Sequence, residues 1–380
     1  MPMTIQEWFC LKNGRQNFKP NVRHDRELMF CHTDEIEERA RDSIERSFAT
    51  GEPVKMIIFG DWGVGKTHAV HHICWWLDQH ADYSVESAIV EVGDLNKKSL
   101  FSALVRPFLD EIGIDKIVYL ANEYTIKVGK NPRDGLRDIG VGSDVAEDYQ
   151  RFMMTAPNSA PTEATIQAFE HLKGGTVKSI TPHTIEQSRS YYDVLAGLGH
   201  LFKAVEGKEL ILIADEAARL EEVDSDDAIR AHWDAVNRMI FDDDNTHFGF
   251  IYTLGAAREA DFPRVLSHEQ TANRIGAGNI IHLGNLSDVE ARGFLKKLFD
   301  SFIDGDAVDS LIKDNEIDAA DKEHYPFEAA ALDRFVDFWA RDPESSKPRD
   351  ISDRLTDAAF IAMKRGKRLI DDEVLDQVGM

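Results

Sequence analysis

Eight consecutive residues, Gly60-Asp61-Trp62-Gly63-Val64-Gly65-Lys66-Thr67, combine glycines with a lysine and a hydroxyl at the spacing G-x-x-x-x-G-K-T. Glycines let successive backbone N–H groups turn toward one point, and such a nest of donors suits phosphate oxygens. Lys66 offers a fixed positive charge for β- and γ-phosphates, and the Thr67 hydroxyl is a hard oxygen ligand for Mg²⁺. The motif needs a strand before it and a helix after it. Residues 54–59 are an apolar run that reads as a buried strand, and residues 68–80 have helix length. A chance glycine-rich turn is the competing reading, and this context argues against it. The residues from Gly60 through Thr67, with His68 directly beyond, are therefore expected to hold the phosphates of ATP with Mg²⁺.

A second set of candidates lies farther along. Leu210-Ile211-Leu212-Ile213-Ala214 is an apolar run ending in Asp215-Glu216. A carboxylate at the C-terminal end of a buried strand lies where ligands bind in parallel sheets. Asp215 can hold Mg²⁺, and Glu216 can act as general base toward the attacking water. Taken alone, the pair also reads as a helix cap. Downstream of a phosphate loop the functional reading is stronger. Phe250-Ile251-Tyr252-Thr253 ends a further strand, and Thr253 can bond the lytic water or the γ-phosphate, or serve only as a strand-end threonine.

These residues need a scaffold. Residues 34–48 read as an amphipathic helix stopped by Gly51, with Asp34 and Glu37 as a capping box. Further strands are expected at 87–92, 210–214, 248–254 and 280–283, and helices at 98–112, 184–205 and 226–241. Thr184 and Gln187 suggest a capping box for one of these. Alternation of buried strands and helices implies an α/β fold: a parallel sheet flanked by helices. Residues 114–182 carry many glycines, prolines and polar residues. They read as an insertion of short helices and loops that supplies little of the sheet's burial. After residue 286 the pattern is helical throughout, at 288–302, 327–340, 351–364 and 371–378, with Ser287 and Glu290 as a capping box. The expected organisation is an N-terminal segment and leading helix (1–50), a P-loop core (51–286) and a small all-α domain (287–380).

Composition narrows the function classes. The formal net charge is −24, so broad electrostatic binding of nucleic acid is disfavoured. DNA contact would need a local basic patch or an oligomer that lines one surface with it. No apolar run approaches the roughly 18 residues of a membrane span, and no secretory leader pattern is evident. Cys10, Cys31 and Cys74 are few and widely spaced, as in a reduced cytoplasmic protein. His68 and His72 have the i,i+4 spacing of zinc ligands but lack a third partner. Lys364-Arg365-Gly366-Lys367-Arg368 reads as a solvated helix end or a small contact for an anionic partner.

The order of strand, Walker A loop, Walker B carboxylates, polar strand end, arginine and helical lid resembles the AAA+ ATPases. Ala272-Asn273-Arg274-Ile275 lies where that superfamily keeps its arginine finger, and Ser346-Lys347-Pro348-Arg349-Asp350-Ile351 is similar to its sensor 2 motif. The Pro348-Arg349 form resembles the origin-recognition clade and related regulators of DNA transposition. The resemblance covers residues from about 34 to the C-terminus. It implies that Arg349 reads the γ-phosphate in its own subunit and that Arg274 reaches a neighbour's site, with Arg264 the alternative finger and Arg258 also downstream of the Thr253 strand. A guanidinium suits both tasks, being permanently charged and two-pronged. The long segment 114–182 departs from the family pattern, and a winged-helix DNA-binding domain is not expected after the lid. The implied function is an ATP-driven homo-oligomeric switch or remodeller regulating a protein partner, in a DNA-linked process such as transposition, replication or anti-phage defence. The competing class is a signalling or scaffold NTPase with negligible turnover. A small-molecule kinase fits the Asp215-Glu216 pair and the lid less well.

Overall fold

The computed structural model describes residues 3–80, 84–92, 100–174, 188–217, 247–262, 273, 275–341 and 345–380. The chain forms two compact units, one of Asp34–Gly60 and Ala69–His282, the other of Met1–Thr33, Asp61–His68 and Leu283–Met380. Among the described residues no helix is long and apolar enough to cross a membrane.

Among the described residues, the first unit is built on a sheet of five strands: β1 Lys55–Gly60, β2 Val85–Glu91, β3 Glu209–Asp215, β4 Phe248–Gly255 and β5 Ile280–His282. Their order across the sheet is β2-β3-β4-β1-β5. All the pairings are parallel, as the alternation of strands and helices predicts. The central strands are apolar along nearly their whole length because both faces are covered. Gly249 in β4 has a steric reason: a Cβ there would lie 2.5 Å from the Val54 carbonyl oxygen. Strand register fixes the working edge. Gly60 pairs with Gly255, Ile58 with Thr253, and Ala214 with Tyr252. The C-terminal ends of β1, β4 and β3 therefore stand side by side, and Thr253 is on the strand between the other two.

Helices of this unit include α1 Arg41–Thr50, α2 Lys66–Gln79 (its first turn in the other unit), α3 Leu100–Ile112, α4 Ile114–Val128, α5 Pro132–Asp138, α6 Ser143–Arg151, α7 Glu163–Leu172 and α8 Ser188–Glu206. Gly51 ends α1 in the left-handed conformation, φ 72°, as a C-cap. The preceding stretch, Asp34–Ala40, winds more widely, as a π-helix. The expected 226–241 helix and the Thr184/Gln187 cap lie outside the described residues.

The segment 114–182 requires a correction. Its described helices do not decorate the surface. Ile117, Leu120, Tyr124, Tyr149 and Phe152 are buried in the same apolar core as Leu210, Leu212 and Phe250 of the sheet. The Tyr149 hydroxyl donates to the Val194 carbonyl of α8 at 2.6 Å, and a Cβ at Gly197 would meet its ring at 2.7 Å. Some of the residues that read as loop punctuation bound short helices: Asn131-Pro132 opens α5 and Gly142 precedes α6.

The second unit contains α9 Asp288–Phe302, α10 Gly305–Lys313, α11 Ala329–Arg341, α12 Pro348–Lys364 and α13 Asp372–Gln377. The Ser287/Glu290 capping box is present. The N-terminal segment shares this core. Phe9, Phe18 and Phe30 are buried with Phe294, Phe302 and Leu355. The basic run is absorbed internally. Lys367 bonds Glu373 at 2.6 Å, Arg368 bonds Glu316 at 2.6 Å and stacks on Trp8, and Arg365 lies 3.7 Å from Glu373.

Candidate functional site

The sheet unit contributes the carboxylates. Asp215 ends β3 and is 4% exposed, while Glu216 directly after it is exposed. Glu216 has φ 56°, a left-handed conformation that non-glycine residues adopt at a cost of about 1–2 kcal/mol. Thr253 is fully buried and ties them together. Its hydroxyl donates to Asp215 Oδ1 at 2.5 Å and accepts from the Glu216 backbone N–H at 3.0 Å. A hydroxyl has one proton, and here that proton is directed at Asp215. Thr253 thus fixes the Asp215 carboxylate and the backbone that leads to Glu216.

The helical unit contributes the loop and the lid cations. Gly63 and Gly65 have φ of 88° and 107°, a region closed to other side chains without strain. Val64 is fully buried and anchors the turn. Lys66 and Thr67 open α2, half-buried, where helix N–H groups are without intrahelical acceptors. Lys66 Nζ donates to the Asp61 carbonyl at 2.8 Å. The His68 ring donates from Nε2 to the Leu28 carbonyl at 2.6 Å and meets Phe30 edge-on. That bond explains a buried histidine without a metal, and no cluster of three metal-ligating side chains occurs among the described residues.

The lid helix α12 begins on this loop. Ser346 is buried and its hydroxyl donates to the Leu286 carbonyl at 2.6 Å, while Pro348 occupies the first helical turn with its fixed φ. These contacts set the positions of Lys347 and Arg349. The Arg349 backbone N–H donates to the Gly63 carbonyl at 3.3 Å, and its guanidinium lies 3.8 Å over the Trp62 ring. Trp62 is otherwise 63% exposed. Lys347 Nζ is 2.5 Å from Asp61 Oδ2. That bond, together with the Trp62 N–H, holds the Asp61 carboxyl below its ordinary range. Lys347 has no role in the sequence reading. The signal for it is an acid inside an anion-binding loop, which needs a cation nearby.

Two candidates remain outside the described residues, Arg274 and Arg264. Arg258 is exposed and pairs with Asp261 at 3.3 Å. As donors, a threonine hydroxyl and a buried aspartate suit Mg²⁺, and a loop with two left-handed glycines before a helix start suits phosphates.

No protein-family model matches the sequence, and no curated protein matches it. Among solved structures, the chain is similar to the Aeropyrum pernix ORC2 protein in ADPNP–ADP complexes, at 14% identity and a TM-score of 0.51, over 97% of this chain and 72% of that one. Cdc6p from Pyrobaculum aerophilum gives 12% and 0.48 over 95% and 69%. The Thermotoga maritima RuvB Holliday junction branch migration motor gives 11% and 0.40 over 92% and 69%. The ORC2 likeness shows the fold, a parallel sheet flanked by helices and followed by a helical unit, as the strand and helix pattern of the sequence implies.

Proposed function

We propose that this chain, an AAA+ fold of the origin-recognition type, is an ATPase that works as an oligomeric switch on a protein partner in a DNA-linked process. The observation that carries the reading is the pairing of Lys347 and Arg349, at the start of α12, with the phosphate loop itself. A lid cation stacked on that loop is placed to exchange an indole for a phosphate when nucleotide arrives.

The proposed roles divide among these residues. The loop N–H groups and Lys66 bind the phosphates. Thr67 and Asp215 are the residues that would hold Mg²⁺, which when bound neutralises charge on the phosphate oxygens. Glu216, exposed at the sheet edge where the loop begins, accepts the proton of the attacking water. Thr253 keeps Asp215 aimed. Arg274, or Arg264 in its place, is proposed to act across a subunit boundary, where a guanidinium stabilises charge that develops during hydrolysis.

Equilibrium titration with ATP tests the binding half. Wild type is expected to bind Mg²⁺–ATP and Lys66→Ala to lose it. Equal affinity in the two proteins would remove the loop from the account. Nucleotide-dependent assembly with no phosphate release would favour the signalling NTPase instead.

A further inference from the structure

We propose that Trp62 is a positioning residue that sets how far the site prefers ATP to ADP, by holding the Arg349 guanidinium on its ring until a terminal phosphate displaces it. The inference rests on the nucleotide reading above and deepens it. Every residue it uses lies in the helical unit, which contains both Asp61–His68 of the loop and the start of α12.

The loop itself does not need a tryptophan at this position. Gly63 and Gly65 make the turn and buried Val64 anchors it, whereas Trp62 is 63% exposed and belongs to neither apolar core. A large ring left in water gains little from burial. What the ring does touch is Arg349, whose guanidinium carbon lies 3.8 Å from the ring centre. The backbone keeps the two in register. The Arg349 N–H donates to the Gly63 carbonyl at 3.3 Å, and a Cβ at Gly63 would lie 3.3 Å from the Arg349 Cβ. The arginine side chain can therefore turn while the start of α12 stays on the loop.

The neighbouring charges are sorted. Asp61 is an acid of the same loop, and Lys347 takes it at 2.5 Å. Arg349 makes no ion pair among the described residues. The carboxylate thus meets the lysine, and the guanidinium rests on a neutral π face. The difference decides how easily Arg349 leaves. A charge-assisted bond to a carboxylate is strong, whereas a cation–π contact at an exposed site shifts an equilibrium only about two- to fivefold. A phosphate offers the two-pronged guanidinium a pair of charged oxygens and outcompetes the ring.

ATP and ADP differ at this point. The loop N–H groups and Lys66 surround the phosphates nearest the chain. The terminal phosphate of ATP is the one left with oxygens for a cation outside the loop. ADP lacks that group, so with ADP the stack persists. ATP has to break the stack, and the cost falls on ATP alone. Trp62 thereby lowers the ratio of ATP affinity to ADP affinity, and takes Arg349 back once the terminal phosphate is gone.

The test titrates the full chain by calorimetry with ADP and with a non-hydrolysable ATP analogue, each with Mg²⁺. Trp62→Leu should raise the ratio of analogue affinity to ADP affinity about two- to fivefold. Any effect of the substitution on the loop is common to both nucleotides and cancels in that ratio. Trp62→Phe keeps an aromatic face and should give a ratio between the two. In an Arg349→Ala background no stack can form, and Trp62→Leu should leave the ratio unmoved. With fluorotryptophan incorporated, the fluorine resonance that Trp62→Leu removes should respond differently to the analogue and to ADP in wild type, and alike in Arg349→Ala. Two results would overturn this inference alone: a ratio that stays level or falls in Trp62→Leu while Lys66→Ala still abolishes binding, or the same rise in the Arg349→Ala background. Wild type that binds neither nucleotide would overturn it together with the reading beneath it.

Discussion

Asp61 is an acid in a loop built for anions, and Lys347 compensates it. Removing only the lysine leaves an unpaired carboxylate beside the phosphates. Lys347→Met should therefore weaken ATP binding about tenfold, while Asp61→Asn combined with Lys347→Met should recover most of the loss, a coupling that a double-mutant cycle by calorimetry would read. Additive losses would mean that Asp61 and Lys347 act separately. Thr253 is the second residue-scale case. Thr253→Val keeps its shape but deprives Asp215 and the Glu216 N–H of a buried partner, which costs about 1–3 kcal/mol. Thermal unfolding should register that loss, with hydrolysis falling further than ATP affinity. Unchanged stability would show that solvent replaces the hydroxyl.

At the scale of elements, legibility follows the strength of the pattern. Strands β1, β3 and β4 are continuous apolar runs because helices cover both faces, and that pattern is plain in the sequence. The Ser287 cap and the Gly51 stop are equally legible, since each is a local backbone requirement. Segment 114–182 misleads because short amphipathic helices with Gly and Pro between them resemble surface loops. What joins them to the core is nonlocal: Tyr124 and Tyr149 reaching α8 across the sequence. The aromatic residues Phe9, Phe18 and Phe30 have no periodicity, and so nothing in the sequence assigns them to the helical unit. Deleting residues 114–174 should accordingly strip cover from α3 and α8 and yield insoluble protein. A soluble, cooperatively unfolding deletion variant would contradict the packing described. The same interface carries a pH dependence. Burial, and then His247, hold the His200 imidazole below its ordinary value, and the Tyr124 hydroxyl lies 3.2 Å from its Nε2. The folded chain resists a proton that the unfolded chain accepts, so this stability is intact above about pH 6.5 and is lost as pH falls below it. His200→Gln should flatten the melting temperature between about pH 7 and pH 5 relative to wild type.

At the scale of the molecule, the net charge of −24 disfavours a broad electrostatic hold on DNA, and the proposed switch is accordingly taken to act on a protein partner. Arg274 is proposed to act in trans. Mixing Arg274→Ala with Lys66→Ala subunits should therefore restore part of the activity that each lacks alone, since some interfaces in the mixture are complete. Arg349→Ala should gain nothing from such mixing, because its stacking partner is in its own chain. A mixture that stays inactive while wild type assembles would move the finger to Arg264. The most direct test of the account is ATP turnover in Glu216→Gln measured beside ATP binding by the same protein. The amide keeps the size of the side chain and cannot take a proton from water. The account predicts wild-type affinity with phosphate release reduced by about 10²-fold or more. Undiminished turnover in Glu216→Gln, or no turnover in assembled wild type, would contradict it.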